Sequence, residues 1–547
     1  MGNTLLTESC CKGDSGSGAP PITIGVMLRQ SADRWPDSLA LREVDASGAF
    51  GRSWTYRALL HDAERLGRAL ASRHSPGARV AVYANNRPEW VLLELGCALA
   101  GLVLVTVNPA SIAPELRFIL EQSGADAVYY AESFRGNPLG EIARTVSQDL
   151  GLGATALSDH EGLFAGVQDG MLPEPGPHDA AQIQYTSGTT GQPKGALLHH
   201  HGLVRNALDT MRGGDVGPGA VFVICTPLFH TTGCAIQVLG GLGLGATILL
   251  PPAFDPVLTS RLIEQEQLAY ALFVPTMLLA VIEAAKRDGR DGGSIRRIMA
   301  GGSMVSPDLW RKAFEAFGAR VQIVYGQTEC SPVITFCSVD DAPGDMIGTV
   351  GRPAPDTEVS IRDPLTNQVV PVGVQGEICS RGYHVMLGYY DNPQATAATI
   401  DVDGWLHTGD LGTMGDRGFV RITGRVKEMI IRGAENLFPV EIENSMLEHE
   451  AIAEVAVVGI PDDRWGEVVA CFMRGTGTAS PPCDVELKAF VRERLSPQKT
   501  PQHWVWVDQW PLTASGKIQK FKLREAFRAG EFGGEPALVN TAHPISR

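Results

Sequence analysis

Hydrophobic positions along the chain recur at two spacings, one helical and one extended. Between residues 56 and 72 they fall at Leu59, Ala63, Leu66 and Leu70, and this spacing of three and four residues predicts an amphipathic helix. Further predicted helices cover residues 88–100 and 113–122, and predicted strands cover residues 79–83, 102–107, 127–130, 221–225, 246–250, 270–274 and 321–325. The alternation of helices and strands predicts an α/β fold with parallel sheets that helices cover on both faces.

The pattern changes after about residue 345. Turns that contain Gly and Pro divide short predicted strands, which lie at residues 358–362, 377–380 and 419–422. They indicate a β-rich subdomain at about residues 345–424. From residue 429 to about residue 530 a separate α+β domain is predicted, with helices at 440–447 and 485–495 and strands at 454–458, 468–473 and 504–507. A chain of 547 residues exceeds what one hydrophobic core usually holds, so two or more domains are expected.

The two ends of the chain show no regular pattern. Residues 1–22 contain Gly, Ser, Pro and acidic residues but no long apolar run, so we expect a flexible leader and neither a signal peptide nor an Arg-rich transit peptide. Residues 531–547 are expected to form a loose tail. The longest apolar stretch, near residues 91–107, contains Glu94 and several small residues. It predicts a buried helix followed by a strand, and no transmembrane segment.

Charge and cysteine usage narrow the class of protein. The net charge of −15 excludes the overall basic surface that is typical of nucleic-acid binding. The ten cysteines form no CxxC pair and have no zinc-ligand spacing. Scattered thiols of this kind are typical of a reduced, cytoplasmic protein. We therefore expect a cytoplasmic location and no nucleic-acid partner, and we make no prediction of the oligomeric state.

A segment rich in Gly and hydroxyl side chains follows a short apolar run centred on Ile183. It reads Tyr185-Thr186-Ser187-Gly188-Thr189-Thr190-Gly191-Gln192-Pro193-Lys194-Gly195. Glycine lets backbone N–H groups approach an anion closely, hydroxyl groups add donors, and Lys194 adds a positive charge. The segment is not a Walker A loop, because Gly195 rather than Ser or Thr follows the lysine. It therefore predicts a phosphate-binding loop of another type.

This loop resembles the signature loop of the adenylate-forming superfamily, which includes acyl-CoA synthetases, peptide-synthetase adenylation domains and beetle luciferases. The resemblance extends over nearly the whole chain, from Trp54 to Lys517. It implies that a carboxylic acid and ATP give an acyl-adenylate and pyrophosphate, and that a thiol then displaces AMP. ATP, Mg²⁺ and coenzyme A are the implied cofactors. The loop residues implied in phosphate binding are Thr186, Ser187, Gly188, Thr189, Thr190 and Lys194.

A second motif follows a predicted strand and offers an aromatic face, a hydroxyl and a carboxylate. It reads Tyr325-Gly326-Gln327-Thr328-Glu329. The resemblance implies that Tyr325, followed by Gly326, stacks near adenine. Thr328 is implied to contact the α-phosphate or the substrate carboxylate, as a catalytic residue. Glu329 is implied to help hold Mg²⁺, with Thr186 as a further oxygen ligand, and oxygen ligands are what this cation prefers.

Glycines at the end of another predicted strand permit a close approach of backbone to ligand. In the family, Gly301 and Gly302 border adenine and the acyl pocket. The spacing alone is equally consistent with a tight turn before a helix that begins near residue 307.

Four further segments carry residues whose roles rest on the resemblance. Asp410 matches the ribose-binding aspartate, and Arg425 is implied to reach the nucleotide. Residues 425–428 match the hinge between an N-terminal adenylation domain (residues 23–424) and a mobile C-terminal domain (residues 429–530), with Lys427 as the pivot. Lys517 matches the catalytic lysine of adenylation. Gly433 matches a loop that faces the pantetheine tunnel in the thiol step.

The acid is predicted from the segment that the family places at the wall of the acyl pocket. His230 lies in that segment, as a pocket or gate residue or equally as a packed histidine. Amino-acid-activating relatives carry an Asp near this position, and none occurs between residues 225 and 250. A substrate ammonium would then be buried without a partner, which is costly. We therefore expect an uncharged acyl tail, most like that of medium- or long-chain fatty acids, and aryl acids remain an alternative.

Other outcomes stay open at the level of sequence. The acyl group could pass to the thiol of a separate carrier protein, since no carrier domain is apparent in this chain. An oxidative outcome like that of luciferase is a weaker alternative. A nucleotide-binding protein without catalysis is the alternative from a different class, and the presence of Lys194, Glu329 and Lys517 argues against it.

Overall fold

The chain divides into two compact units in a computed structural model. The model describes residues 5–15, 20–166, 170–186, 193–290, 295–303, 305–338, 340–433, 435–477, 481–512 and 518–532. The first unit comprises Met1–Val374, Ile378–Thr408 and Met414–Arg421, and the second comprises Gln375–Glu377, Gly409–Thr413 and Ile422–Arg547. Both units combine helices and sheets, and the predicted fold class, with a large N-terminal and a small C-terminal domain, is confirmed. The hinge at residues 425–428 stays a prediction.

The largest sheet of the first unit has seven strands. Its spatial order is Gly388–Tyr389, Lys194–His199, Ala180–Thr186, Val103–Val107, Arg79–Tyr83, Ala127–Tyr130 and Gly153–Ala156. The pairs from Ala180–Thr186 to Gly153–Ala156 are parallel, and the two pairs at the other edge are antiparallel. Because parallel strands all end on one side, the chain segments that leave them meet at one edge of the sheet.

Two smaller sheets complete the helix-covered part of this unit. The four-stranded sheet has the order Val221–Val223, Thr247–Leu250, Leu39–Val44 and Phe50–Thr55. The five-stranded sheet has the order Tyr270–Phe273, Arg297–Gly301, Arg320–Gly326, Val333–Phe336 and Arg352–Pro353. Its first three strands are parallel, as the alternation of helices and strands predicts.

The helices of the first unit bury their apolar faces against these sheets. In helix Tyr56–Ala71 the side chain of Thr55 accepts the N–H of Ala58 and caps the helix, while Leu59 and Leu66 are fully buried. The other helices are Ile24–Arg34, Pro88–Leu99, Ala113–Ser123, Leu139–Leu150, His160–Leu163, His200–Gly213, Gly240–Gly243, Pro256–Gln265, Pro275–Arg287, Pro307–Phe317, Pro343–Met346 and Pro393–Ala397, with a π-helix at Thr232–Leu239. Among the described residues no helix has both the length and the apolar character needed to cross a membrane.

The β-rich segment follows, with strands Glu358–Arg362, Gly376–Arg381, Leu406–Met414 and Val420–Arg425. The structure differs here from the prediction of a flexible leader over residues 1–22. Cys10–Lys12 forms a strand that pairs antiparallel with Glu358–Arg362, and the Ser9 hydroxyl donates to the carbonyl of Pro371. A strand of three residues is fixed by this long-range pairing, which the local sequence does not reveal.

The second unit is built on one sheet of five strands with a hydrophobic core on each face. The strands are Ile430–Arg432, Glu435–Leu437, Ile452–Asp462, Gly466–Gly475 and His503–Trp506, and the helices are Pro439–Leu447, Asp484–Arg492 and Lys520–Arg528. Side chains alternate between the faces, since Val457 and Val469 lie in one core and Ala456 and Phe472 in the other. The predicted strands and helices of this region are all present, with bounds that differ by one to four residues.

Candidate active site

The predicted phosphate-binding loop connects two antiparallel strands of the seven-stranded sheet. Thr186 ends one strand and Lys194 begins the next, directly opposite it, and the Thr186 hydroxyl lies 3.4 Å from the Lys194 carbonyl. Both residues are half-buried. The intervening loop residues Ser187, Gly188, Thr189 and Thr190 lie outside the described residues. The structure therefore defines the base of the loop, where a hydroxyl and an ammonium group lie on neighbouring strands.

The second motif lies at the end of the parallel strand Arg320–Gly326. Tyr325 is buried and pairs with Thr335 on the next strand, and the register shifts between Tyr325 and Gly326. A side chain at Gly326 would place its Cβ 1.9 Å from the Pro332 carbonyl oxygen, so only glycine fits this turn. A short 3₁₀-helix, Thr328–Cys330, follows at once. The turn thus brings the Thr328 hydroxyl and the Glu329 carboxylate to the end of the strand.

Glu329 is held by a residue that the sequence analysis did not identify. The Tyr389 hydroxyl donates a hydrogen bond of 2.7 Å to Glu329 Oε1. The Lys194 ammonium nitrogen lies 5.0 Å from the centre of the Tyr389 ring. The backbone is tied as well, because the N–H of Met386 donates to the Glu329 carbonyl at 2.8 Å. The phosphate loop and the Glu329 turn, which are far apart in sequence, therefore meet at one tyrosine.

The predicted glycine pair ends the neighbouring parallel strand, Arg297–Gly301. Gly301 is opposite Val324, and a Cβ at Gly301 would lie 2.3 Å from the Val324 carbonyl oxygen. Gly302 follows with a φ of +81°, in the left-handed region. Gly301 and Tyr325 therefore stand at the same edge of one sheet, where open α/β folds bind their ligands.

The predicted wall of the acyl pocket follows strand Val221–Val223. The side chain of Asn86 accepts the N–H of Leu228 at 2.8 Å, and the Thr106 hydroxyl donates to the Phe229 carbonyl at 3.0 Å. His230 comes next, with its ring 4.3 Å from that of Phe229. This part of the chain is anchored to the core by one side chain from strand Val103–Val107 and one from the segment that follows strand Arg79–Tyr83. His230 therefore has a fixed place in the fold.

A buried π-helix, Thr232–Leu239, continues from this wall. Its side chains include Cys234, Ala235, Ile236 and Val238, which are all buried. π-helical turns are rare and occur frequently at functional sites. The segment is therefore a buried, mostly apolar element with an unusual backbone, which in the chain directly follows the residues predicted to line the acyl pocket.

Within the second unit, the predicted ribose and nucleotide residues form an ion pair. Arg425 Nε lies 2.8 Å from Asp410 Oδ1. The Glu377 carboxylate accepts the N–H of Gly409 at 2.9 Å, beside Asp410 in the chain. Asp410 is buried, whereas the Arg425 side chain is half exposed. The carboxylate is thus held in one orientation before any ligand binds.

The predicted pivot, Lys427, lies in the 3₁₀-helix Val426–Glu428. Its neighbour Glu428 accepts from the Lys520 ammonium group at 2.7 Å, and Lys520 also lies 2.8 Å from Glu443. Burial alone lowers the pKa of Lys520, but Glu443 and Glu428 more than offset this and raise it. Glu428 is therefore fixed to two helices of the second unit, directly after Lys427.

Gly433 stands beside an exposed aromatic residue that the sequence analysis missed. Its N–H donates to the Trp465 carbonyl at 2.6 Å, and its φ is +65°. Trp465 is 40% exposed and lies near two guanidinium groups, with Arg432 at 5.5 Å and Arg464 at 5.0 Å from the ring centre. The sequence itself contains only part of this signal, which is a tryptophan that follows Arg464 and precedes Gly466. Lys517 lies outside the described residues.

Comparison with known proteins identifies the family. The AMP-binding enzyme model matches residues 28–390, and the model of the AMP-binding enzyme C-terminal domain matches residues 441–517. The chain therefore belongs to the AMP-binding enzyme family. It is an AMP-forming acid–thiol ligase of the acyl-CoA synthetase branch, which activates a carboxylate with ATP and transfers the acyl group to a thiol, and this confirms the prediction from the sequence.

Individual relatives match along nearly their full length. YngI of Bacillus subtilis (strain 168) is 36% identical over 534 residues, which cover 92% of this chain and 96% of YngI. The mitochondrial medium-chain acyl-CoA ligase ACSF2 of Rattus norvegicus is 34% identical over 544 residues, which cover 92% of this chain and 87% of that protein. The solved structure of o-succinylbenzoate CoA synthetase (MenE) from Bacillus subtilis, in complex with ATP and a magnesium ion, superimposes with a TM-score of 0.79 at 27% identity, over 91% of this chain and 99% of MenE.

Proposed function

We propose that this ligase activates a fatty acid of medium or long chain and so serves fatty acid metabolism. The observation that carries the proposal is the buried, apolar π-helix Thr232–Leu239 directly after the His230 segment, in a stretch of chain (residues 225–250) without one acidic residue. A charged amino-acid substrate would bury its ammonium group there without a partner, which is costly. The medium-chain acyl-CoA ligase name of the relative ACSF2 agrees with this class of acid.

The adenylation step requires two anions to meet, since the fatty-acid carboxylate attacks the α-phosphorus of ATP. Two like charges about 4 Å apart repel by about 4 kcal/mol at an effective dielectric constant of about 20. In the proposed step Lys517 lies between the carboxylate and the α-phosphate, and Thr328 donates a hydrogen bond to the same oxygens. His230 borders the acyl carboxylate, and pyrophosphate leaves. Groups placed in advance where charge develops are the largest single source of catalysis in such sites.

The nucleotide is proposed to be held by residues from several segments. The base of the phosphate loop supplies a hydroxyl and an ammonium group on adjacent strands, and the edge of the five-stranded sheet supplies glycines that let backbone approach adenine. The proposed contacts are Thr186, Ser187, Gly188, Thr189, Thr190, Lys194, Gly301, Gly302, Tyr325, Gly326, Asp410 and Arg425.

Magnesium is proposed to bind through the oxygen atoms of Glu329 and Thr186. These are hard oxygen donors, and the buried Glu329 carboxylate is already oriented by the hydrogen bond from Tyr389, so the residues fit this cation. Bound Mg²⁺ would neutralise phosphate charge during the attack on phosphorus.

The acceptor is proposed to be the thiol of coenzyme A rather than that of a carrier protein. Its sulfur would attack the acyl carbonyl carbon, and AMP would leave with the electron pair of the broken C–O bond. The Trp465 ring between Arg432 and Arg464 favours CoA, because an exposed indole can stack on adenine and guanidinium groups can bind phosphate. Gly433 beside it would border the pantetheine arm, and rotation at Lys427 would exchange the two half-reactions.

The test is ATP–pyrophosphate exchange over a panel of acids, followed by product formation with two acceptors. The panel contains saturated fatty acids of increasing length, benzoate and several amino acids. We expect exchange with fatty acids and none with amino acids, and acyl-CoA formation that exceeds acyl transfer to a purified carrier protein. Exchange with benzoate alone would contradict the fatty-acid proposal, and turnover with the carrier alone would contradict the choice of CoA.

A further inference from the structure

Tyr389 is the side chain that connects the base of the phosphate loop to the Glu329 carboxylate. It lies on the two-residue strand Gly388–Tyr389, which pairs antiparallel with Lys194–His199 and sets Tyr389 opposite Ala196. From this position its hydroxyl reaches Glu329 Oε1 at 2.7 Å, and its ring lies 5.0 Å from the Lys194 ammonium nitrogen. One side chain therefore touches both the cation proposed to bind phosphate and the carboxylate proposed to bind Mg²⁺.

The backbone around Tyr389 is fastened to strand Lys194–His199 and to helix Pro393–Ala397. The N–H of Leu387 donates to the Leu197 carbonyl at 2.9 Å, and the N–H of Tyr390 donates to the Gly195 carbonyl at 2.8 Å. On the other side, the N–H of Tyr389 donates to the Thr396 hydroxyl at 2.9 Å. With these bonds the phenol has little freedom to move relative to the loop base.

The hydrogen bond has a definite direction. A phenol O–H donates and an ionised carboxylate only accepts, so the shared hydrogen atom belongs to Tyr389. Glu329 is the acceptor and uses Oε1 for this bond. This bond also fixes the direction of the second oxygen, Oε2. Carboxylates that bind metals are commonly oriented in this way by hydrogen-bond partners that do not contact the metal themselves.

We propose that Tyr389 is a positioning residue for adenylation, which sets the orientation of the Glu329 carboxylate for Mg²⁺ and holds the Lys194 ammonium group over its ring until the phosphates of ATP bind. The inference rests on the proposed roles of Glu329 and Lys194 and adds a residue to them. Tyr389 acts through these two groups and forms no bond to the reacting atoms.

The hydroxyl and the ring of Tyr389 make separable contributions. Tyr389→Phe removes the hydrogen bond to Glu329 and keeps the ring beneath Lys194. Tyr389→Leu removes both. Tyr390→Phe is the matched control, because it deletes the same atom one residue away, where the ring lies beside Arg79.

The experiment measures the dissociation constant of ATP by calorimetry, once with Mg²⁺ and once with EDTA, so the result does not depend on knowing the acid. For Tyr389→Phe we expect roughly tenfold weaker binding in Mg²⁺ and unchanged binding in EDTA. For Tyr389→Leu we expect a further, roughly threefold loss of ATP affinity. This loss should appear in EDTA as well, because Lys194 loses its aromatic partner. Tyr390→Phe should bind as the wild type does under both conditions.

Two results would overturn the proposal. One is a Tyr389→Phe variant whose gain in ATP affinity on adding Mg²⁺ equals that of the wild type. The other is a Tyr389→Phe variant that loses the same factor of ATP affinity in Mg²⁺ and in EDTA and also has a lower melting temperature. That combination would indicate a purely structural role. Failure of the fatty-acid proposal is a different result, since it appears as wild-type protein that binds MgATP yet exchanges no pyrophosphate with any fatty acid.

Discussion

Arg425 Nε lies 2.8 Å from Asp410 Oδ1, and the two side chains form an ion pair within the second unit. Asp410 is buried, so its carboxylate is desolvated and held by the guanidinium group. A carboxylate with a fixed orientation can accept hydrogen bonds from the two hydroxyls of a ribose without first losing rotational freedom. The pair therefore provides a rigid acceptor at the residue proposed to bind the sugar.

Replacement of Asp410 tests this role. Asp410→Asn keeps the shape of the side chain but removes its charge, and we expect the KM for ATP in pyrophosphate exchange to rise roughly tenfold, because hydrogen bonds to charged groups are the stronger ones. Arg425→Ala should raise the KM as well. The free-energy loss of the double variant, calculated from its KM, should be smaller than the sum of the losses of the two single variants. Asp416→Asn, an exposed aspartate nearby in the chain, is the control. Strictly additive losses would argue that the ion pair has no part in binding.

Trp465 allows the thiol step to be tested apart from adenylation. Trp465 is 40% exposed, and its ring lies near Arg432 and Arg464. Stacking of a base on an aromatic side chain contributes about 1–3 kcal/mol, so Trp465→Ala should raise the KM for CoA by roughly tenfold. Pyrophosphate exchange, which needs no CoA, should be unchanged.

The control for Trp465 is Phe521→Ala, since Phe521 is another exposed aromatic residue of the second unit and lies on helix Lys520–Arg528. It should leave both half-reactions unaffected. If Trp465→Ala instead lowers exchange as much as it lowers CoA turnover, the tryptophan serves the stability of the unit and not the acceptor.

The position of Lys427 between a strand and the anchored Glu428 suits a pivot. Proline fixes φ near −65° and removes a backbone N–H, so Lys427→Pro should stiffen this point. We expect acyl-CoA formation from acyl-adenylate to fall by roughly tenfold or more while pyrophosphate exchange changes little, because in our proposal the rotation at Lys427 precedes only the thiol step. Lys427→Ala removes the side chain without fixing the backbone and should retain both steps. Unchanged CoA turnover in the proline variant would place the hinge elsewhere.

The sequence predicted the helices and strands whose conformation is determined by residues close together in the chain. Helix Tyr56–Ala71 follows from apolar residues at helical spacing, and strand Arg79–Tyr83 from a short β-rich run. Strand Cys10–Lys12 could not be predicted in this way, because its residues are polar or small and its conformation depends on pairing with Glu358–Arg362. Glycine and hydroxyl residues in an unusual order predicted the phosphate loop, whose base the structure describes.

The contacts between the site residues could not be predicted from the sequence, because they too depend on long-range packing. Tyr389 lies 60 residues from Glu329 in the chain, on a strand of two residues, and no spacing connects them. The ion pair of Asp410 and Arg425 similarly joins the middle of strand Leu406–Met414 to the end of strand Val420–Arg425. Motifs therefore supply the residues that we propose to carry the chemistry, and packing decides which residues orient them.

Lys517 can be tested although it lies outside the described residues. Leu512 and Ile518 form an antiparallel bridge that flanks its segment. Lys517→Ala should lower pyrophosphate exchange by roughly 100-fold or more, because a charge that acts only in the transition state is lost. Thioester formation from supplied acyl-adenylate should be spared. The control is Lys522→Ala, an exposed lysine on the following helix, and equal losses in both half-reactions of Lys517→Ala would contradict the assigned role.

Two buried histidines of the first unit predict how stability depends on pH. Burial lowers the pKa of His384 to about 3 and that of His200 to about 4, and the nearby His199 lowers both further, while Asp179 opposes the shift at His200. His384 Nε2 lies 2.8 Å from the Ser380 hydroxyl, and His200 Nδ1 accepts the N–H of Ile24 at 3.5 Å. Both imidazoles are therefore neutral in the folded protein.

Since the folded-state pKa of each histidine lies below that of the unfolded chain, the unfolded state takes up protons first as the pH falls through about 6.5. Stability should therefore be full above that pH and decline as the pH falls, to about pH 4 for His200 and about pH 3 for His384, with a loss of about 2 kcal/mol for each histidine between pH 7 and pH 5. Urea unfolding at pH 7 and pH 5 measures the difference. His384→Asn should reduce this difference by about 2 kcal/mol, whereas His61→Asn, on an exposed helix position, should leave it unchanged. A variant at His384 with the pH dependence of the wild type would show that the buried imidazole does not control acid stability.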